Sequence, residues 1–206
     1  MKFTAISDTH NKHDSLQVGS GDILLHCGDF SGRGEEKQII DFNNWLGEQD
    51  FKHKIVIAGN HDFMFEREPE KAQNILSNAT YLQDSYTVIE GIKIYGSPWQ
   101  PWFHNWAFNL HRGQEIAQKW KLIPEDTDIL LTHGPPMGIG DLTNRKEHVG
   151  CEDLLKRVQE IKPKFHCFGH IHEENGSWEE DGTRYINASI CNFDYKPKNS
   201  IHTFEL

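Results

Sequence analysis

The sequence predicts an α/β layered fold with sheets buried between helices, and three observations carry that prediction. Short apolar runs bounded by Gly, Asp or Asn recur along the 206 residues. Stretches with helical spacing lie between several of these runs. Many of the runs are near-continuously apolar rather than alternating, as strands covered on both faces are.

Taken in order, the apolar runs 3–6 and 23–27 read as strands, and 35–46 reads as a helix with Ile39, Ile40, Phe42, Trp45 and Leu46 on one apolar stripe. Run 54–58 is the next strand, followed by a helix at 69–76. Runs 86–89 and 92–95 flank Glu90-Gly91, which suits a tight antiparallel pair. A helix at 113–120 should stop near Pro124, strand 128–132 follows, and a helix at 152–161 should end before Pro163. Strand 164–168 comes next, then a second tight pair across 178–185 through Asp181-Gly182 that includes strand 184–187, and finally strand 201–204.

No repeat, low-complexity tract or linker interrupts the chain, so one domain over residues 1–206 is expected. Hydrophobic residues at 36% and charged residues at 25% exclude intrinsic disorder. No apolar run is long enough to span a bilayer, and the N-terminus carries no secretory pattern, so a soluble, unexported, cytoplasmic protein is expected, with no membrane partner. Cys27, Cys151, Cys167 and Cys191 form no CxxC pair and read as reduced, buried thiols. Acidic residues outnumber basic ones 31 to 21, a net charge of −10, with no block of Lys or Arg. That argues against long nucleic acids, whose binding rests on cations that neutralise phosphates. An acidic chain acting on an anionic substrate needs local cations, and bound metal ions are often the largest charges available. Thirteen histidines point the same way.

Nearly every metal-capable residue falls just past the end of an expected strand. Asp8-Thr9-His10 follows the first, Gly28-Asp29 the second, Gly59-Asn60-His61-Asp62 the third, His133-Gly134 the run at 128–132, and Gly169-His170-Ile171-His172 the run at 164–168. In open α/β sheets those ends open onto the ligand crevice. Residues two apart in extended chain share a side, so Asp8 and His10 can share an ion, as can His170 and His172. Gly28, Gly59, Gly134 and Gly169 let the backbone turn sharply beside bulky ligands. Imidazole with carboxylate suits Zn, Mn or Fe, and two ions bridged by a carboxylate form a clamp for in-line displacement at phosphorus.

These five segments resemble the signature of the calcineurin-like metallophosphoesterase superfamily. The likeness extends to the segments 21–26, 55–61, 95–99, 131–136 and 185–189, which resemble its small metallophosphoesterase-domain-containing subgroup, similar to class III cyclic-nucleotide phosphodiesterases. The resemblance implies a four-layer α/β/β/α sandwich with a dinuclear metal centre at the strand C-termini. It implies that Asp8, His10 and His172 hold one ion, that Asp29 bridges, and that Asn60, His133 and His170 complete the second. His61 would face the leaving group as general acid, with Asp62 orienting it. The implied reaction is in-line attack of a metal-bridging hydroxide on a small phosphodiester, with cyclic or other nucleotides as the substrate class and Mn²⁺ foremost among the ions, Fe or Zn being alternatives. A phosphomonoesterase or protein phosphatase uses the same centre; a nuclease is disfavoured by the charge, and a non-catalytic scaffold by the intact ligand set.

Outside the signature, His26, His53, His166 and His202 read as packed or solvated side chains, and His13, His104, His111 and His148 as residues of loops or helix edges. The segment 97–108 is rich in tryptophan and phenylalanine; Trp99 and Trp102 are candidates for substrate contact, as a wall on which a base stacks, against a loop that covers the core. Arg145 is a candidate anion contact. Met137-Gly138-Ile139-Gly140 looks more like a flexible lid than a phosphate-cradling loop.

Overall fold

A computed structural model describes residues 1–206. Along the chain run β1 (Lys2–Ile6), β2 (Gly21–Cys27), α1 (Glu36–Glu48), β3 (Phe51–Ile57), α2 (Phe63–Arg67), α3 (Pro69–Ile75), β4 (Thr80–Tyr81), β5 (Ser85–Ile89), β6 (Ile92–Ser97), β7 (Gln100–Pro101), β8 (Asn109–Leu110), α4 (Gln114–Trp120), β9 (Ile129–Thr132), α5 (Glu152–Ile161), β10 (Phe165–Phe168), β11 (Gly176–Glu180), β12 (Thr183–Asn187) and β13 (His202–Glu205). They form one sheet of order β13-β1-β2-β3-β4, a second of order β11-β12-β10-β9-β6-β5, and the small pair β7-β8. In the first sheet β1 to β4 run parallel and β13 is antiparallel. In the second, β12, β10, β9 and β6 run parallel between antiparallel edges β11 and β5.

The alternation of side chains along each strand builds the layers. Phe3, Ala5, Ile23, Leu25, Ile55 and Ile57 point between the sheets, where they meet Ile94, Ile129, Leu131, Cys167 and Ile186. Their neighbours Ile6, Leu24 and Val56 point the other way, onto Ile39, Phe42 and Leu46 of α1. On the far side, Tyr95, Leu130, Phe168 and Tyr185 meet Ile116 and Trp120 of α4 and Leu154 and Val158 of α5. The result is the expected α/β/β/α sandwich, and it explains why the central strands carry apolar residues at both parities.

Both expected hairpins form, with Ile89 opposite Ile92 and Glu180 opposite Thr183. Their two-residue turns take positive φ throughout: 50° at Glu90, 85° at Gly91, 51° at Asp181 and 84° at Gly182. That is the mirror-image turn whose twist suits paired strands. All four cysteines are free and buried. Cys151 has a second part, since its Sγ accepts from the Leu154 amide and caps α5.

Some expectations fail for local reasons. Ile40 is 40% exposed, because about 100° of helical rotation turns it away from the stripe of Ile39, Phe42, Trp45 and Leu46. Helix α4 does end at Trp120, in keeping with its expected range of 113–120. The third strand begins at Phe51, and the short elements α2, β4, β7 and β8 carry too few residues to show a period. Residues 137–140 are no lid: Asp141 accepts hydrogen bonds from the Gly138 and Gly150 amides, and Ile139 is buried.

The two sheets join at one end. Ser7, just past β1, bridges Ser189, just past β12, with its amide donating to the Ala188 carbonyl and its own carbonyl accepting from the Ile190 amide. That junction gathers the C-terminal ends of β1, β2, β3, β9 and β10.

Candidate metal centre

All five post-strand segments do converge, and their ligand atoms lie close together. Asp8, His10 and His172 form one cluster and Asp29, His133 and His170 another, each with ligand atoms within 4.8 Å of one another. Asp29 also groups with His10 and His61. Its Oδ2 lies 3.4 Å from His133 Nε2, 3.9 Å from His10 Nε2 and 3.9 Å from His61 Nε2, so one carboxylate oxygen faces both clusters. Asn60 Oδ1 is 2.9 Å from His133 Nε2. His10 and His172 approach through their Nε2 atoms at 3.2 Å, and His172 Nε2 is 3.3 Å from Asp8 Oδ1.

The surrounding hydrogen bonds decide which atoms face inward. His61 Nδ1 bonds the Gly32 carbonyl at 2.7 Å, His133 Nδ1 the Cys27 carbonyl at 2.9 Å, and His172 Nδ1 the Asn192 carbonyl at 3.2 Å. Each ring therefore donates from Nδ1 and presents Nε2 to the centre. Asp8 Oδ2 accepts from Ser189 Oγ and the His170 amide, while Asp29 Oδ1 accepts from the His61 amide. Asp8 Oδ1 is buried with no hydrogen-bond partner. Lone pairs aimed at each other and an orphaned buried carboxylate oxygen are what a cation would satisfy. The spacings also fit, because ligands about 2.0–2.2 Å from one ion lie about 3–3.5 Å apart.

The backbone is bent to hold this arrangement. Asp8, His10, Asp29 and His170 have φ of 54°, 40°, 55° and 69°, a region costly for side-chain-bearing residues and frequent at functional sites. This corrects the pairing read from spacing: His170 leaves the extended conformation, so it and His172 point to different clusters rather than to one ion. Three of the glycines are required by space, Gly28 among them, since a Cβ there would lie 2.7 Å from the Ala58 carbonyl oxygen and the Gly59 amide nitrogen. A Cβ on Gly59 would meet His133 Cε1 at 2.6 Å and collide with Asp29, and one on Gly169 would collide with Asp8 and Ser7. Gly134 is different, since a Cβ there meets nothing nearer than 3.5 Å.

Electrostatics follow from burial and mutual proximity. Burial pushes both Asp8 and Asp29 up, but the facing imidazoles, His172 for the first and His133 for the second, hold them well below the usual carboxylate range. Burial disfavours charge on His133, yet Asp29 outweighs it and the imidazole is raised to about 9. Burial pushes His10 down to about 4 and His170 down to about 3. The cluster thus retains protons where positive charge is needed, and such protons compete with a metal.

Asp62 has another place than expected. Its Oδ2 accepts from the Asp29 and Gly59 amides, both at 2.8 Å, and its Oδ1 accepts from the Ser31 amide and hydroxyl. None of these bonds reaches the His61 ring, which the Gly32 carbonyl orients instead. Asp62 ties the loops after β2 and β3 together. Burial and the Asp29 charge push its carboxyl up to about 7, against the four donors that favour the anion.

A cleft of about 360 Å³ opens on the cluster, lined by Asn60, His61, Trp102, Trp106, Arg112 and Tyr195 among others. Trp102 is on its wall; Trp99 and Arg145 are not. The Trp99 indole instead donates to Asp84, and Arg145 is exposed on a loop. Arg112 takes the expected cationic position, fixed by the Val149 and Gly150 carbonyls. Tyr195 packs edgewise on His10 and His172. Neither Arg112 nor Tyr195 belongs to a recognisable pattern. Ser189 lies in one of the segments that carry the resemblance, but nothing in the sequence ties it to Asp8. His26 and His166, as expected, are packed side chains, bonded to Thr9 and Thr132.

An α/β/β/α sandwich with histidines and carboxylates gathered at its strand ends defines a metal-dependent phosphoester hydrolase. The chain belongs to the calcineurin-like phosphoesterase family, whose model matches residues 1–174. It is 45% identical over 223 aligned residues to metallophosphoesterase domain-containing protein 1 of Homo sapiens, covering 96% of this chain and 68% of that protein. It is 39% identical to a UPF0046 protein of Caenorhabditis elegans, covering 100% of this chain and 60% of that protein. Among solved structures, the TT1561 protein of Thermus thermophilus superposes with a TM-score of 0.62 at 12% identity, over 98% of this chain and 97% of that one. A structure described as a novel archaeal phosphodiesterase does so with a TM-score of 0.51 at 16% identity, over the whole of both chains. At those identities the likeness is one of fold. No helix is long and apolar enough to cross a membrane.

Proposed function

We propose that the protein is a dinuclear-metal phosphodiesterase acting on small phosphodiesters, nucleotides foremost. The observation that carries this reading is Asp29 Oδ2, one buried carboxylate oxygen within 3.9 Å of His10 and 3.4 Å of His133, which belong to different clusters. Asp8, His10 and His172 would hold one divalent ion; Asn60, His133 and His170 the other; Asp29 both. Mn²⁺ is the first choice, with Fe or Zn as alternatives. Bound ions supply neutralisation of phosphoryl charge and a lowered pKa for water.

The rest is done by side chains of this chain. With Nδ1 committed to Gly32, His61 carries any second proton on Nε2, facing the centre, from where it can pass to a departing oxygen. Trp102 and Trp106 line the cleft and shield that transfer from water. Arg112 is the one Lys or Arg on the lining, which suits the single charge of a diester better than a monoester dianion. The apolar rings suit a flat base. The reading carries with it a cytoplasmic setting, in keeping with four free thiols.

The test is hydrolysis of bis-p-nitrophenyl phosphate and p-nitrophenyl phosphate with Mn²⁺ and after chelation. Turnover of the diester well above the monoester, lost on chelation, is expected. Preference for the monoester would replace the reading by a phosphomonoesterase, and no turnover with any divalent ion would leave a scaffold.

A further inference from the structure

In the aromatic segment at 97–108, Trp106 does more than line the cleft. Trp106 is half-buried, and its indole stacks on the His61 ring with centroids 4.2 Å apart and planes 29° from parallel. The Arg33 guanidinium lies over the same indole at 4.6 Å, and the Phe63 ring is tilted against it at 5.8 Å. Arg33 follows Gly32, whose carbonyl fixes His61 Nδ1. The backbone closes the arrangement: the Ala107 amide donates to the Asn60 carbonyl at 3.1 Å, and the Phe108 amide to the Glu66 carboxylate at 2.7 Å. The segment bearing Trp106 is therefore pinned one residue before His61 and again on the helix after it.

An imidazole anchored by one hydrogen bond can still rotate about that bond. A flat face at van der Waals distance removes this freedom, and the pinned backbone keeps the face in place. Proton transfer to a departing oxygen depends on that orientation, because small misplacements of a catalytic group cost large factors in rate. The placement also separates Trp106 from Trp102, which is 55% exposed and free to meet substrate.

We propose that Trp106 is a positioning residue for His61, holding its imidazole in line with the leaving-group oxygen through a stack that Arg33 completes. This rests on the reading of His61 as general acid. The experiment compares bis-p-nitrophenyl phosphate, whose leaving group needs no proton, with diphenyl phosphate, whose leaving group does, in the Mn²⁺-loaded wild type, His61→Ala, Trp106→Leu, Trp106→Phe and Arg33→Gln. Trp106→Leu should lose about tenfold more kcat on diphenyl phosphate than on the nitrophenyl ester, with KM and Mn²⁺ affinity little changed. Trp106→Phe, which restores a flat ring, should keep the wild-type ratio within about threefold, and Arg33→Gln should shift it in the same direction as Trp106→Leu.

Equal losses on both esters in Trp106→Leu would make the tryptophan merely structural and overturn the proposal. So would a Trp106→Phe that behaves like Trp106→Leu. If Trp106→Leu does not fold, Trp106→Met, which keeps bulk but no flat face, takes its place with the same two outcomes. If His61→Ala itself loses equally on both esters, the general-acid role fails instead, whereas a selective loss in His61→Ala without one in Trp106→Leu refutes this inference alone.

Discussion

Asp62→Asn separates a loop tie from a residue that orients His61. The carboxylate accepts four hydrogen bonds: two amides at 2.8 Å on Oδ2, and the Ser31 amide at 3.0 Å and Ser31 hydroxyl at 2.6 Å on Oδ1. An asparagine must turn its amide group toward one of these pairs, setting donor against donor, and the remaining bonds lose their charge. At about pH 9, where the carboxyl pushed up to about 7 is ionised, two bonds to a charged acceptor are worth about 1.5–3 kcal/mol each, so the loss is about 3–6 kcal/mol. That is a large part of the roughly 5–15 kcal/mol that holds a typical domain together. With an m-value of about 2 kcal/mol/M the urea midpoint should fall by about 1.5–3 M. The assay is urea unfolding followed by tryptophan fluorescence, in chelator so that metal linkage does not contribute. The reasoning is refuted if Asp62→Asn unfolds within about 1 kcal/mol of wild type yet loses turnover selectively on poor leaving groups, as His61→Ala should.

Acid should weaken the fold through His26 and His166. Both are fully buried and pushed down to about 3 by burial, so the unfolded chain binds protons first. Their stability contribution is whole above about 6.5 and falls as pH drops toward 3, by about 1.2 kcal/mol per histidine between pH 7 and 5.5. Urea unfolding at the two pH values should show His166→Gln losing that much less than wild type; an identical loss would count against the assignment. Gly169→Ala should abolish tight Mn²⁺ binding, because its methyl group displaces the Asp8 carboxylate, whereas Gly134→Ala should bind normally; calorimetric titration distinguishes them. Saturating Mn²⁺ at about a hundred times its Kd should add about 2.7 kcal/mol of stability per bound ion, about 5.4 kcal/mol for two, readable as a higher Tm, and this gain should shrink in Asp29→Asn.

Much of the site was legible because its residues sit at fixed offsets from strand ends, and the strands are short, near-continuous apolar runs. The layers follow from the same runs, since Phe3 and Ala5 face one way and Ile6 the other. What escaped depends on contacts distant in sequence or on local backbone. The φ of 69° at His170 breaks the two-residue rule that paired it with His172. Asp62 follows His61 in sequence, yet its bonds go to Ser31, Asp29 and Gly59. Ser189 meets Asp8 across 181 positions. Trp106 was part of a conspicuous aromatic segment, but only the Ala107–Asn60 hydrogen bond shows which of its rings lies on His61.

The most direct test counts metal and turnover in the same samples as Mn²⁺ is added to metal-free protein, with bis-p-nitrophenyl phosphate as substrate. If Asp29 joins two ions in one centre, activity rises with the second equivalent of bound Mn²⁺, and Asp29→Asn binds no more than one ion tightly and stays inactive. Full activity at one equivalent, or an Asp29→Asn variant that hydrolyses the diester at the wild-type rate, would contradict the dinuclear centre.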